Sequence, residues 1–251
     1  GSDVFKGQVV AIDGKKLRRS HDKRIGKDAI HMVSAWALEN QFVLAQVKVD
    51  KKSNEITAIP QLLKALAISG CIVTIDAMGC QKKIAKQIVD QEADYVLALK
   101  ENQGGLYKAV EDLFDYARET AFADADYHKT INKDHGRIEI RECWTISTPD
   151  YLAFLPKRSA WPGLQTIVMV KSERRLKHKN SVKVRYYISS LADGARQHLN
   201  TIRSHWGIEN QVHWVLDVAF REDDCRIRKE NGPQNFAILR HIALNLLKQE
   251  K

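Results

Sequence analysis

Along the first hundred positions, short apolar runs alternate with longer segments of helical period. Ile72-Val73-Thr74-Ile75 has three β-branched aliphatics in four residues, which predicts a short buried strand. The run closes on Asp76, Gly79 follows, and Lys82 to Val89 then carries apolar residues at helical spacing, predicting a helix from about Gln81 to Gln91. Gln8 to Ile12 repeats the pattern, a buried strand delivering Asp13 into a turn at Gly14-Lys15. Ala29–Leu38 and Phe42–Val49 read as a strand and its return across Glu39-Asn40-Gln41. Ser53-Asn54-Glu55 resembles an N-terminal cap for a helix over Ile56–Ile68, with Ile59, Leu62, Leu63 and Leu66 on one face. Pro60 is expected in the first turn or so of that helix, where a missing N–H costs little. Tyr95–Lys100 is a further strand.

Three strands, helix, strand, helix, strand is the element order of an RNase H-like fold. The fold class expected is therefore α/β, a mixed sheet flanked by helices. In that fold the first and fourth strands are neighbours, which would bring Asp13 and Asp76 together. An acid that closes a strand can be a mere turn former or helix cap. Two of them converging on one sheet edge instead repel each other unless a cation lies between.

From Asn102 the pattern changes. Leu106–Ala117 reads as a helix, Glu119–His135 as an acidic and polar stretch, and Arg137–Ile146, Leu164–Lys171 and Val182–Ser189 as three strands punctuated by Pro149, Pro156 and Pro162. This divides the chain into a first core part over 3–101, a β-rich insertion over 102–192 and C-terminal core helices over 193–251. The return, Gly194–Phe220, reads as a helix pair or one long interrupted helix. Glu209 lies on its apolar stripe with His205 and His213 four residues to either side. A buried unpaired carboxylate is costly, so Glu209 either pairs with Arg203 or a histidine, or serves as a third metal ligand. Asp217 is its rival for that role. Asn235–Leu247 is a strongly amphipathic final helix.

Composition narrows the function. With 251 residues, 44% hydrophobic and 28% charged, the chain is ordinary globular protein. It has neither a run of the ~18 apolar residues that a membrane span needs nor a secretory leader pattern. Cys71, Cys80, Cys143 and Cys225 lack paired metal-type spacing, which predicts a reducing, cytoplasmic setting, packing roles for the first two and no zinc site. The net charge of +9 points to a polyanionic partner, and the cluster Lys15-Lys16-Leu17-Arg18-Arg19, continued by Lys23-Arg24 and Lys27, begins two residues after Asp13. A second basic run spans Lys171 to Arg185.

Val10 to Lys15, Thr74 to Gln81, Leu97 to Gln103, Arg185 to Ser190 and His205-Trp206-Gly207-Ile208-Glu209-Asn210 together resemble the H-repeat-associated transposases, which are DDE transposases of bacterial insertion sequences. The resemblance covers about residues 8 to 248. It implies an RNase H-like catalytic core with a β-rich insertion before the last acid, and Asp13, Asp76 and Glu209 as the three catalytic, metal-binding carboxylates. Hard oxygen donors suit two Mg²⁺ (or Mn²⁺) ions. The implied partner is double-stranded DNA, at transposon ends and target, in a bacterial, nucleoid-associated setting with no membrane. In the full-length protein a homodimer is one further expectation.

Related transposases carry a Tyr, an Arg and a Lys seven before, four before and seven after the final Glu. Here these positions hold Ile202, His205 and Leu216. Arg203 and His205 are the substitutes expected to contact DNA, together with Lys15, Arg18, Arg19, Lys100, Asn102, Arg226 and Arg228. Family members extend upstream, so the region recognising transposon ends is expected to lie outside this stretch. The alternatives are an RNase H-type nuclease without strand transfer and a catalytically idle DNA-binding relic of a mobile element.

Overall fold

The structure, a computed structural model, describes residues 6–22, 24, 26, 28–50, 54–134 and 136–250. Expectations that fall on Lys23, Lys27, Ser53 and His135 lie outside the described residues. In chain order the elements are β1 (Val9–Lys16), β2 (His31–Ala37), β3 (Phe42–Lys48), α1 (Glu55–Lys64), β4 (Ile72–Ile75), α2 (Lys82–Asp90), β5 (Asp94–Leu99) and α3 (Gly104–Glu119). There follow β6 (Asp126–Asp134), β7 (Arg137–Ile146), α4 (Pro149–Ala153), β8 (Thr166–Leu176), β9 (Lys179–Ser189), α5 (Ala195–Ile208), α6 (Trp214–Val218) and α7 (Gly232–Gln249).

All nine strands among the described residues join one sheet, in the order β3-β2-β1-β4-β5-β9-β8-β7-β6. β1 pairs antiparallel with β2 and parallel with β4, the neighbour relation expected of the first and fourth strands, and β4 pairs parallel with β5. The mixed sheet with helices on both faces is the RNase H-like architecture. β9 returns antiparallel to β5, so β6 to β9 extend the core's own sheet.

The period-2 alternation of the strands decides which side chains meet which helices. Val10 and Ile12 of β1, with Val73 and Ile75 of β4, pack against Ile59, Leu62, Ile84, Ile88, Val110 and Phe114 of α1, α2 and α3. Fully burying each such side chain stabilises the fold by about 1.5–3 kcal/mol. Val9 and Ile72 face the other way, onto Leu199 and Ile202 of α5. Ala11 and Trp36 meet Ile208, Val212, Leu216 and Leu244 from the C-terminal helices. Odd positions of β1 and even positions of β4 therefore face α5, and Asp13 and Asp76 continue those rows.

The structure departs from the sequence reading at several places. β1 does not end in a turn at Asp13 and Gly14 but runs on to Lys16, because its antiparallel ladder with β2 continues to Lys16 opposite His31 after the parallel ladder with β4 stops at Ile12 opposite Ile75. Gly14 is small for a packing reason: a Cβ there would stand 2.1 Å from Glu55 Oε1 and 2.6 Å from His31 Nε2. The stretch Glu119–His135 holds an unanticipated strand, β6. Helix α1 stops at Lys64 rather than Ile68, and Pro60 is its sixth residue, beyond the first turn. The return helix is interrupted, one of the two forms expected, and the interruption is a π-helical turn over Glu209–His213.

Candidate active site

Asp13 and Asp76 sit at the end of the parallel β1–β4 pairing, one position beyond the register pair Ile12 and Ile75. Their shared row points both toward α5, and together with Glu209 they line one cavity of about 240 Å³. Asp76 also fills the bland role that such an acid can take. Its Oδ1 accepts hydrogen bonds from the N–H groups of Met78 (3.1 Å) and Gly79 (3.3 Å), which tie down the loop into α2. That loop packs tightly against β4, since a Cβ at Gly79 would come within 2.2 Å of Ile75 Cγ2. Asn102 braces it from the other side by donating to the Ala77 carbonyl at 2.7 Å.

Glu209 is exposed and makes no side-chain hydrogen bond or ion pair among the described residues. The expectation of a buried acid, paired with Arg203 or a histidine, fails because the π turn begins at Glu209. A π turn spaces its bonds one residue further apart than an α-helix, so the apolar stripe slips round the axis there. Val212 and Leu216 reach the core while Glu209 faces the cavity. π turns inside helices occur frequently at functional sites.

Asp13 senses the charges around it. Asp13 has its carboxyl raised from 3.8 to about 7, chiefly by burial and further by the negative charges of Asp76, Glu55 and Glu209, against a lowering hydrogen bond from the Gly14 N–H. Beside it, His213 Nδ1 stands 3.5 Å from Asp13 Oδ2. Burial pushes His213 down to about 3, helped by Lys15, His241 and His205, so the ring is neutral and the contact is dipolar rather than an ion pair. His205 is likewise held below its ordinary value by burial, and its Nδ1 lies 3.0 Å from Thr74 Oγ1.

A hard divalent cation suits this donor set, because carboxylate oxygens are its preferred ligands and a buried acid facing like charges gains from a cation. As they stand, no three His, Cys, Asp or Glu side chains among the described residues are gathered closely enough to hold an ion.

The basic residues fall into two groups. Lys15 is nearly buried, with Nζ 2.5 Å from Asp217 Oδ1, 2.9 Å from Glu222 Oε2 and 3.6 Å from Asp223 Oδ1. Arg18 meets Asp223 at 3.2 Å, Arg19 meets Asp224 at 3.4 Å, and Arg228 Nε donates to the Arg19 carbonyl. These contacts tie β1 and the segment after it to the chain beyond α6, and they account for Asp217, which serves Lys15. By contrast Lys100, Arg203 and Arg226 make no ion pair among the described residues, and Lys100 lines the acid cavity.

Lys15→Ala should cost about 3–5 kcal/mol, because it leaves the almost fully buried Glu222 without its closest cation. Arg18→Ala should cost less than about 1 kcal/mol, its side chain being 80% exposed. Urea unfolding of the two variants checks this, and equal costs would contradict the anchoring role. Trp206 and Arg185 also line this cavity, although neither is among the site residues expected from the sequence. Arg185 closes the second basic run and Trp206 marks the apolar stripe of the return helix, and both stand in motifs that carried the resemblance.

The transposase DDE domain family model matches residues 5–246. Among curated relatives, "Putative protein YbfL" of Escherichia coli K12 is 45% identical over 97% of this chain and 65% of its own length. "H repeat-associated putative transposase YhhI" of the same strain is 44% identical over 97% and 65%. "Putative transposase YncI" of Escherichia coli O157:H7 is 44% identical over 99% and 64%. The chain thus spans about 65% of the length of the curated relatives it matches.

Proposed function

We propose, from the premise that this chain belongs to the transposase DDE domain family, that it is the catalytic core of an insertion-sequence transposase. It cuts a DNA strand at the element's end and joins the freed 3′-hydroxyl to target DNA. Asp13, Asp76 and Glu209 are its three catalytic carboxylates. The observation that carries this reading is the convergence of the β1 row, the β4 row and the π turn on one cavity, with Asp13 raised to about 7 by burial and like charges.

Divalent cations, Mg²⁺ or Mn²⁺, held by these acids would polarise a phosphoryl oxygen and make a bound water or 3′-hydroxyl more acidic. The chain's own groups do the rest. Asp76, one oxygen tied to the N–H groups of Met78 and Gly79, would offer its other oxygen to the cation, and the loop braced by Asn102 keeps the side chain in place. The neutral His213 and His205 fill the space behind the acids without neutralising them. Apolar walls from Ile75, Val96, Ile202 and Ile208 limit water in the cavity. DNA contacts fall on Lys100, Arg203 and Arg226, whereas Lys15, Asn102 and His205 position the acids and their loops. The division into core parts at 3–101 and 193–251 around a β-rich insertion at 102–192 belongs to the same reading.

The test uses DNA carrying the terminal repeats of the insertion sequence that encodes the chain. Nicking at the repeat boundary in Mg²⁺, lost in EDTA, together with joining to a target plasmid, is the expected result. Cutting without joining would mean a nuclease of RNase H type, and neither reaction at any divalent metal would mean an idle relic. Duplex binding should be electrostatic and weakly selective, falling roughly tenfold to a hundredfold between 50 and 200 mM salt for about three phosphate contacts. A salt-independent affinity would contradict that.

A further inference from the structure

A second cavity, of about 630 Å³, lies between β7–β9 and α5 and shares Arg185, Tyr187, Ile202 and Trp206 with the acid cavity. Its floor follows from register. Arg141 of β7 stands opposite Ser172 of β8, which stands opposite Lys183 of β9, and the next rows bring Glu139 beside Arg174 and Val170 beside Arg185. These side chains share the sheet face that α5 covers only in part, where Leu199 and Ile202 pack on Val168, Val170 and Tyr187.

The cavity's charge is lopsided. Six cations line it against two carboxylates; Glu139 is engaged with two of the six, Arg137 and Arg141, and Glu173 with Arg175, which leaves Arg174, Lys183, Arg185 and Arg203 without an ion pair among the described residues. Arg203 of α5 faces this surplus. Burial and then the neighbouring Arg141 hold its guanidinium below its ordinary value, with Glu139 opposing. Concentrated positive charge of this kind is relieved by an anion.

At the junction of the two cavities is Trp206. It is 44% exposed, and Arg185 lies over its ring at 5.5 Å from the centroid. A cationic channel leading to an open aromatic face is how proteins bind unpaired nucleic acid, phosphates on the charges and a base on the ring. A duplex keeps its bases stacked inside and can offer only phosphates to such a floor.

We infer that the groove between β7–β9 and α5 is a binding path for single-stranded DNA, with Lys183, Arg174 and Arg203 holding phosphates and Trp206, backed by Arg185, stacking a base beside the acid cavity. The inference rests on the proposed strand chemistry, since it assigns the unpaired strand next to the cut a place of its own.

Binding is measured by fluorescence anisotropy in EDTA, where no cleavage can occur, with a labelled single-stranded oligonucleotide of mixed sequence and its blunt duplex. Trp206→Ala should weaken single-strand binding by about tenfold, within the range for loss of one stacked base, and Trp206→Phe should restore most of it. The double variant Lys183→Glu/Arg203→Glu should weaken it further, and Trp206→Ala should leave duplex binding within about twofold. Circular dichroism melting shows that each variant is folded; should Trp206→Ala not fold, Trp206→Phe against Trp206→Leu makes the same comparison. Unchanged single-strand affinity in folded Trp206 and charge-reversal variants would overturn the groove. Cleavage is scored separately in Mg²⁺. Loss of cleavage on every substrate with Trp206-dependent binding intact would sink the transposase reading and leave the groove standing. Cleavage without Trp206-dependent binding would do the opposite.

Discussion

Replacing Glu209 with Gln is expected to slow metal-dependent strand cleavage by about a thousandfold or more, ~4 kcal/mol of transition-state stabilisation, and to leave the melting temperature without metal level or higher. Gln keeps the shape and removes the charge. Because Glu209 is exposed and has no side-chain partner among the described residues, nothing structural is lost with that charge, and relief of repulsion toward Asp13 favours the fold. The fitting control is Asp90→Asn, a surface acid paired with Lys86 on α2, which should cut at the parent rate. Asp217, a natural choice of control on sequence grounds, is unsuitable because it anchors Lys15. The assignment fails if folded Glu209→Gln still cuts at the rate of the Asp90→Asn protein.

Asp13→Asn should abolish cleavage to a similar extent and, unlike most substitutions in a core strand, stabilise the protein at alkaline pH. The carboxyl binds its proton more tightly folded than unfolded, being raised from 3.8 to about 7. Such a group favours folding fully at low pH, and the advantage is lost as pH rises through 7. At pH 8 the parent therefore carries a charged, half-buried Asp13 whose cost is on the order of 2–4 kcal/mol. Asn removes that cost, so the variant should melt several degrees higher at pH 8, with the gain shrinking toward pH 5. Mg²⁺ should raise the parent's melting temperature at pH 8 more than the variant's. Thermal melts of both proteins at the two pH values, with and without Mg²⁺, suffice, and a variant less stable than the parent at pH 8 refutes the burial argument.

Much of the core was legible in the sequence because its cause is local. Runs such as Ile72–Ile75 and Val9–Ile12 are buried on both faces and cannot be much other than central strands, and their acids follow at fixed positions. β6 escaped notice for the opposite reason. Asp126–Asp134 is an edge strand, mostly exposed and polar, and its charged residues suit an unpaired edge rather than an apolar period. It still matters, since Asp126 Oδ2 accepts the Ala195 N–H at 2.7 Å and seats the start of α5.

The candidate site was only partly legible. That Glu209 would face the cavity from a π turn is invisible to any count of helical period, because the turn changes the period at the residue in question. The basic residues show a different limit. Lys15, Arg18 and Arg19 read as a free cationic cluster, but their partners Asp217, Asp223 and Asp224 come from about 200 positions away. Charge patterning along the chain carries no information on such pairings. Lys183 and Arg185 belong to the second basic run, and only the strand register and the packing of α5 bring them opposite Arg203.

The unbroken ladder from β3 to β6 has a mechanical corollary. A sheet hydrogen-bonded strand to strand behaves as a single beam, with no hinge between the strands bearing Asp13 and Asp76 and those bearing Lys183 and Arg141. Helix α5 is held on that beam by side-chain packing, by the bond from the Ala195 N–H to Asp126 and by the short link from β9, with no backbone ladder to the sheet, and such packing yields sooner than a ladder. Any adjustment to a bound strand thus belongs to α5 and its π turn. On the proposed reading the two aspartates then stand on the rigid part of the molecule, and Glu209 on the part with more freedom to adjust.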